Sequence, residues 1–257
     1  MQSETILNAR QRKILSLLKQ EATASVEDLA RQLDVTSQTI RRDVKLLQDE
    51  GLILRYHGGV SVLSSVQNDD YRDRQVINVE AKRKIAQAAA KRLPSSCSAF
   101  INIGTTTEEV ARALLQHDDL HIVTNNLNVA AILADNPKCE IIIAGGIVRN
   151  RDKGIVGDST VDFIKQFKVD VGIIGISSIE LDGTLRDFDP REVRVAQSII
   201  EQSRQVWLVA DSSKINRSAL MRIGHVSDID VFFTNEKPPA PLAQVLADNG
   251  VTVVVTG

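Results

Sequence analysis

The 257-residue sequence predicts an α/β protein in two parts: a small N-terminal unit of three helices and a hairpin, then a larger domain on a mostly parallel sheet. Three observations predict it. Residues 9–63 carry a compact series of helix starts and stops that ends in a hairpin pattern. From about Ser98, short apolar runs alternate with helical patterns, as in a sheet covered on both faces. Between the two, residues 64–78 are polar, follow neither period and read as a linker. The expected boundaries are therefore 1–63, a linker over 64–78, and 79–257.

In the first unit, "RQRKILSLLKQ" places Ile14, Leu17 and Leu18 at helical spacing. "SVEDLARQL" opens with Ser25 and has Asp28 three residues later, a start like a capping box, with Val26, Leu29, Ala30 and Leu33 on its apolar face. After the short break "DVT", a third helix is expected from about Ser37 to Glu50, stopped by Gly51. "LILRYHGGVSVL" then reads as two short strands joined at Gly58-Gly59.

The third helix carries the first functional signal. At about 100° per residue, Ile40, Val44 and Leu47 fall on one face, and Gln38, Arg41, Arg42 and Lys45 on the other. The helix start, with Ser37, Gln38 and Thr39, is the part that reaches base edges when such a helix enters a major groove. A solvated basic face is the bland alternative. The turn before the helix and the hairpin after it favour DNA. Net charge does not carry this reading: residues 1–62 hold nine Lys/Arg against eight Asp/Glu.

"VTSQTIRRDVKLLQDEGLILRYHGG", Val35 to Gly59, resembles the winged helix-turn-helix of the DeoR family of bacterial transcription regulators. The resemblance implies that Ser37 to Arg42 begin the recognition helix and that Arg55, Tyr56 and His57 belong to the wing, with operator DNA as partner.

The helix "VEAKRKIAQAAAKRL" opens the second domain. Its Lys82, Arg83, Lys84, Lys91 and Arg92 read as a solvated face. The strands expected beyond it are "SAFINI", "LHIVTN", "CEIIIAG", "VDVGIIGI", "RQVWLVAD", "DVFFTN" and "VTVVV". The helices are "TEEVARALLQ", "LNVAAILA", "STVDFIKQF", "PREVRVAQSIIEQ" and "APLAQVLADN".

Polar residues collect just after successive strands: Gly104, Thr105, Thr106 and Thr107; Thr124, Asn125 and Asn126; Gly145 and Gly146; Ser177 and Ser178; Asp211 to Lys214. In a parallel sheet all strand C-termini share one edge, so these loops are expected around one crevice, where open α/β sheets bind ligands. Hydroxyls, amides, glycine N–H groups and a lysine suit a phosphate, with "GTTT" as its cradle at a helix N-terminus. Each loop alone is explained as a turn or cap, and Glu108 and Glu109 complement the helix dipole without any ligand. Asp211 is either a site residue or a buried partner for Lys214. Arg149 and Arg151 either hold a carboxylate in the core or reach the ligand.

The family resemblance continues through "INIGTTTEEVARALL", "IVTNNLNVA", "IIIAGGIVRNRDKGIVGD", "DVGIIGISSIELDGTL" and "LVADSSK", which follow the DeoR-family sensor domain, similar in fold to ribose-5-phosphate isomerase. It implies a repressor released from DNA by a small phosphorylated metabolite, with sn-glycerol 3-phosphate favoured and a hexose or ketose phosphate as the alternative. One departure stands out: Ala196-Gln197 occupies the place where many members carry a basic pair.

Two other functions compete with this one. An isomerase needs a positioned acid/base pair; Asp211, Glu180, Asp182 and Asp187 are present, but no second catalytic partner stands at a recognisable spacing, so no enzyme is expected. A regulator controlled only by a protein partner would not need the polar loops. No metal or cofactor is expected, and Cys97 and Cys139 read as reduced thiols. No apolar run approaches the ~20 residues of a membrane span and there is no signal-peptide pattern, so the cytoplasm is the expected location. One wing-and-helix unit binds weakly, so a homo-oligomer on repeated half-sites is expected. It would be a dimer or, by the family resemblance, a tetramer.

Overall fold

The structure, a computed structural model, describes residues 7–21, 23–50, 52–56, 59–62 and 71–257. The chain divides into two units, Met1–Ser64 and Ser65–Gly257.

The first unit contains α1 (Ala9–Glu21), β1 (Thr23–Ala24), α2 (Val26–Gln32), α3 (Ser37–Asp49), β2 (Ile53–Tyr56) and β3 (Gly59–Val62). Each helix starts on a polar cap. Asn8 and Gln11 exchange side chain-to-backbone bonds at α1, the Ser25 hydroxyl accepts from the Asp28 N–H at α2, and Thr36 accepts from the Thr39 N–H at α3. Ile14, Leu18, Leu29, Ile40, Val44, Leu47, Ile53 and Val60 make the core. Asp43 also turns inward, where it accepts from Arg10 and Gln11. The two strands expected to form the hairpin pair antiparallel, with Tyr56 opposite Gly59, so Gly59 begins a strand. β1 was not foreseen; it adds antiparallel to β3. Gly51, His57 and Gly58 lie outside the described residues.

The second unit begins with α4 (Tyr71–Val76) and α5 (Val79–Arg92). Residues 71–78, read above as linker, are thus mostly helical. Their fastening is polar rather than apolar, which left no hydrophobic period to read. Next come β4 (Cys97–Ile101), α6 (Thr105–Ala113), β5 (Leu120–Thr124), α7 (Leu127–Leu133), β6 (Cys139–Ile143), β7 (Ile147–Val148) and β8 (Ile155–Val156). α8 (Asp158–Ile164), β9 (Val169–Ile174), β10 (Ser178–Ile179), β11 (Thr184–Asp187), α9 (Pro190–Glu201) and β12 (Ser203–Val209) follow. The chain closes with β13 (Met221–His225), β14 (Val231–Thr234), α10 (Ala240–Asp248) and β15 (Thr252–Val255).

The seven strands read from the sequence are the seven strands of one parallel sheet, in the order β15-β14-β12-β9-β4-β5-β6. Alternate residues serve opposite faces, as the strand period requires. Ile101, Trp207 and Phe233 pack under α5, α6 and α7, whereas Phe100, Leu208 and Phe232 pack under α8, α9 and α10. The small β7–β8 and β10–β11–β13 sheets lie outside the expected strands; β7, β8 and β10 have two residues each, and TLRD of β11 and MRIGH of β13 form no apolar run. Cys97 and Cys139 are free thiols, each paired in register with Leu120 of β5. Among the described residues, no helix is long and apolar enough to cross a membrane.

Strand order decides where a ligand can sit. From β4 the chain runs outward through β5 and β6, and β9 then returns to the other side of β4. The β4–β9 boundary is the topological switch point. Loops leave it in opposite directions and open a crevice at the strand C-termini.

Candidate nucleic-acid interface and effector site

α3 buries Ile40, Val44 and Leu47 and leaves Gln38, Arg41, Arg42 and Lys45 exposed. The basic face derived from the helical period is therefore displayed. Arg41 lies 3.6 Å from Glu27, an exposed pair worth little that DNA can displace. Ser37 and Thr39 are half-buried, and the Thr39 hydroxyl is 2.9 Å from that of Thr36. Arg55 and Tyr56 fall on β2, where only the backbone is described.

In the second unit a cleft opens at the switch point, lined by Ile103–Thr106 after β4, Gly175–Ser177 after β9, and Arg74, Asp187, Glu192 and Lys214. Of the residues picked from sequence, Gly104, Thr105, Thr106, Ser177 and Lys214 meet there. Gly104 is the N-cap of α6 at φ +153°, a backbone setting that favours glycine. It has no side chain to cap the helix, so the first-turn N–H groups of α6 carry no side-chain cap. Thr107 is spent internally: its hydroxyl donates to the carbonyls of Asn102 and Gly104.

The loops after β5 and β6 do not reach the cleft; they build its scaffold. Asn125 donates to the Ile155 carbonyl, and Asn126 caps α7. The Gly145 carbonyl accepts from Thr160, and a side chain at Gly146 would strike Thr160 and Ile155. Arg149, 9% exposed, takes the core-carboxylate role. Its Nε and Nη2 fork onto Asp152 at 2.9 and 2.6 Å, Nη1 meets Asp189 at 3.0 Å and Nη2 meets Glu192 at 2.7 Å. Arg151 stays exposed, 3.6 Å from Asp189. Asp211 is buried. It accepts from Asn78, at 2.8 Å, and from the backbone and hydroxyl of Ser213.

Lys82 corrects the solvated-face reading of α5. It is buried, and its ammonium donates to the carbonyls of Arg74 and Ile77. Arg83, Lys84, Lys91 and Arg92 are exposed as expected. Ala196 is buried in the core and Gln197 donates to the Ile223 carbonyl, so the substituted pair serves packing. Of the acids weighed for catalysis, only Asp187 faces the cleft; Glu180 pairs with Arg186, and Asp182 accepts from Thr184 in a turn.

The cleft is electrically divided. Burial pulls the Lys214 ammonium down to about 8, with Asp211 opposing and Arg217, Arg74 and Lys82 assisting. Burial also acts to raise Asp211, but Lys214, Ser213 and Asn78 hold it below the ordinary carboxylate range. Burial and the adjacent Asp187 carboxylate push Glu192 up to about 7 against the pull of Arg149. Asp187 is also raised, chiefly by burial, and accepts from the Ser177 hydroxyl and the Phe188 N–H. One side thus offers cations, hydroxyls and a helix N-terminus. The other offers acidic acceptors. Arg74 and Glu192 carry no signal in the sequence, and Asp187 reads there only as a candidate catalytic acid; none lies in a strand-end loop rich in Gly, Thr or Asn. Among the described residues no His/Cys/Asp/Glu group could hold a metal.

A basic recognition helix in one unit and a ligand cleft at the sheet edge of the other define a ligand-responsive DNA-binding protein. Comparison with known families agrees with both halves. Residues 10–66 match the DeoR-like helix-turn-helix domain and residues 77–236 the DeoR C terminal sensor domain. The chain belongs to the DeoR family of transcription regulators, which is not a family of enzymes. It is 47% identical to the glycerol-3-phosphate regulon repressor of Escherichia coli K12, over 94% of this chain and 96% of that one. It is 50% identical to the Haemophilus influenzae protein of that name, over 89% of each chain. It is 40% identical to the transcriptional repressor CsqR of E. coli K12, over 96% and 95%. Among solved structures, ribose 5-phosphate isomerase A of Methanocaldococcus jannaschii matches 54% of this chain and 55% of its own, at 12% identity and a TM-score of 0.40.

Proposed function

We propose that this DNA-binding repressor controls genes of glycerol and glycerol-3-phosphate metabolism and is released from its operator by sn-glycerol 3-phosphate. The observation that carries the reading is the α6 N-terminus. It has no side-chain cap and opens into a cleft that also holds Thr105, Thr106, Lys214 and Arg74. A phosphate there gains first-turn N–H donors and the positive end of the helix dipole. Ser177, Asp187 and Glu192 across the cleft suit the hydroxyls of a short polyol, because carboxylates accept hydrogen bonds from O–H groups. The likeness to two glycerol-3-phosphate regulon repressors supports this choice of polyol. A different sugar phosphate is the second reading, because the chain is also 40% identical to a repressor of another name, CsqR.

In this scheme Gln38, Arg41, Arg42 and Lys45 meet the operator, with Ser37 and Thr39 at the helix start and Arg55, Tyr56 and His57 in the wing. Two or four copies act together in the cytoplasm on repeated half-sites. Release requires that the ligand bind the DNA-incompetent arrangement more tightly than the DNA-bound one.

The test titrates a protein–operator complex with glycerol 3-phosphate, glycerol and fructose 1-phosphate. Glycerol 3-phosphate should release the operator and glycerol should not. Thr105→Val and Thr106→Val should keep operator affinity yet require ~10-fold or more ligand, as expected for hydrogen bonds to a charged group worth about 1.5–3 kcal/mol. Release by glycerol as readily as by its phosphate would remove the cradle. Release by the hexose phosphate alone would leave the repressor but change its inducer.

A further inference from the structure

Arg74 is the cleft residue with the least reason to be there. It comes from α4, outside the sheet, yet it lines the cleft beside Thr105, Thr106 and Lys214. Its Nε is buried and makes no hydrogen bond among the described residues. Its one ion pair among them is long, 3.9 Å to Asp152, whose carboxylate is already forked by Arg149. The guanidinium also lies over the Tyr71 ring, 5.8 Å from its centre. A buried N–H without an acceptor is costly, and a phosphate is the acceptor a guanidinium fork fits best.

The helix that carries Arg74 is fastened by two polar clasps. The Tyr71 hydroxyl lies 2.8 and 2.7 Å from the two carboxylate oxygens of Glu108, in the first turn of the same α6 whose N-terminus faces the cleft. Gln75 and Asn128 both donate to that hydroxyl, and Asn128 also donates to Glu108 and to the Asp152 carbonyl. At the other end, Lys82 donates to the Arg74 and Ile77 carbonyls. Few apolar side chains assist: Tyr71 is the buried residue of α4, whereas Val76 is 65% exposed. A short helix held by hydrogen bonds belongs to the low-stability end of a structure, from which moving elements are drawn. It is also the first described element after the DNA-binding unit, which ends at Ser64.

We propose that Arg74 is a direct ligand of the effector phosphate, and that α4 is the element through which effector occupancy reaches the DNA-binding unit. This rests on the cleft being the effector site. Phosphate on Arg74 holds α4 in the docked position described here, with Tyr71 on Glu108. Operator binding uses an arrangement in which that clasp is released. The two ligands therefore compete through α4, and by linkage each weakens the other by one common factor.

The experiment measures sn-glycerol 3-phosphate binding to the full-length protein by calorimetry, with and without saturating operator DNA. The ratio of the two dissociation constants is the coupling factor, ~5–150-fold for a typical allosteric pair. Thr106→Val should weaken binding in both conditions and keep the wild-type ratio. Arg74→Gln should weaken binding ~10-fold or more without DNA, from loss of charge-assisted bonds, and its ratio should fall toward 1. Tyr71→Phe should tighten operator binding in the absence of effector, because it removes hydrogen bonds made only in the docked arrangement. A wild-type ratio or a wild-type affinity in Arg74→Gln overturns the proposal, as does unchanged or weaker operator binding in Tyr71→Phe. If the wild type fails to bind the probe, or Thr106→Val binds it as the wild type does, the effector-site reading falls and takes this proposal with it.

Discussion

Arg149→Met separates the two roles that the sequence left open for this arginine. The change keeps an apolar stem of similar length and removes the charge. In the structure one guanidinium serves three carboxylates: Asp152 through a fork, Asp189 at 3.0 Å and Glu192 at 2.7 Å. Asp152 is 1% exposed and Arg149 9%, so water cannot take over when the cation is lost. Breaking a buried ion pair from one side costs about 3–5 kcal/mol, because a charge is left without compensation. For a unit of this size, each kcal/mol corresponds to about 2–4 °C in Tm, so the sensor transition should drop by ~6–20 °C at pH 8. The loss should depend on pH. Glu192 sits at about 7 in the folded protein, above its ordinary value, so the folded state favours its proton. That preference supports folding at low pH and fades as pH rises through 7. Removing Arg149 takes away the charge that holds Glu192 down and raises it further, so wild type and variant diverge most above pH 7. Thermal unfolding of both proteins at pH 5.5 and pH 8 is the assay. A Tm within ~3 °C of wild type at pH 8, about 1 kcal/mol, or an equal loss at both pH values, would refute the reasoning. An unchanged Tm with weakened effector binding would move Arg149 to the ligand.

Two further predictions concern the ends of the signalling path. On α3, Arg41→Ala or Arg42→Ala should cost ~1–3 kcal/mol of operator binding where the arginine makes a bidentate guanine contact, while Lys45→Ala should weaken all sequences alike and flatten the salt dependence; titrations at several salt concentrations check this, and three unchanged affinities would unseat the recognition helix. In the cleft, Lys214 is held at about 8 when no anion is bound, and a bound phosphate must raise it. Binding therefore takes up a proton above pH 8, and effector affinity should fall as pH rises from 8 to 10. It should also fall below about pH 6 as the phosphate loses its second charge. Calorimetry across that range is the check, with Lys214→Met expected to lose the alkaline limb; a flat alkaline limb in the wild type would remove Lys214 from the site.

The sequence by itself determined what depends on neighbours in the chain. The seven strands of the parallel sheet stand out because each carries an apolar run, which the central strands bury on both faces. The display of Arg41, Arg42 and Lys45 opposite Ile40, Val44 and Leu47 follows from 100° per residue alone. Ser25 and Asp28 mark the α2 start because a cap acts within one turn. The strand-end loops were legible as a group, since their composition is local.

Tertiary structure alone decided which of those loops line the cleft. All strand C-termini share an edge, but strand order puts only the loops after β4, β9 and β12 around the switch point. Asn125, Asn126, Gly145, Gly146 and Arg149 lie off toward β5 and β6 and became scaffold. The same holds for charge. Lys82 and its neighbour Arg83 look alike in sequence, yet one is buried capping α4 and the other is exposed, because only packing specifies which side of α5 meets another element. α4 stayed hidden for a related reason: Tyr71 to Glu108 and Lys82 to Ile77 are hydrogen bonds between distant positions. A polar clasp has no period, and its partners can be recognised only after folding has brought them together.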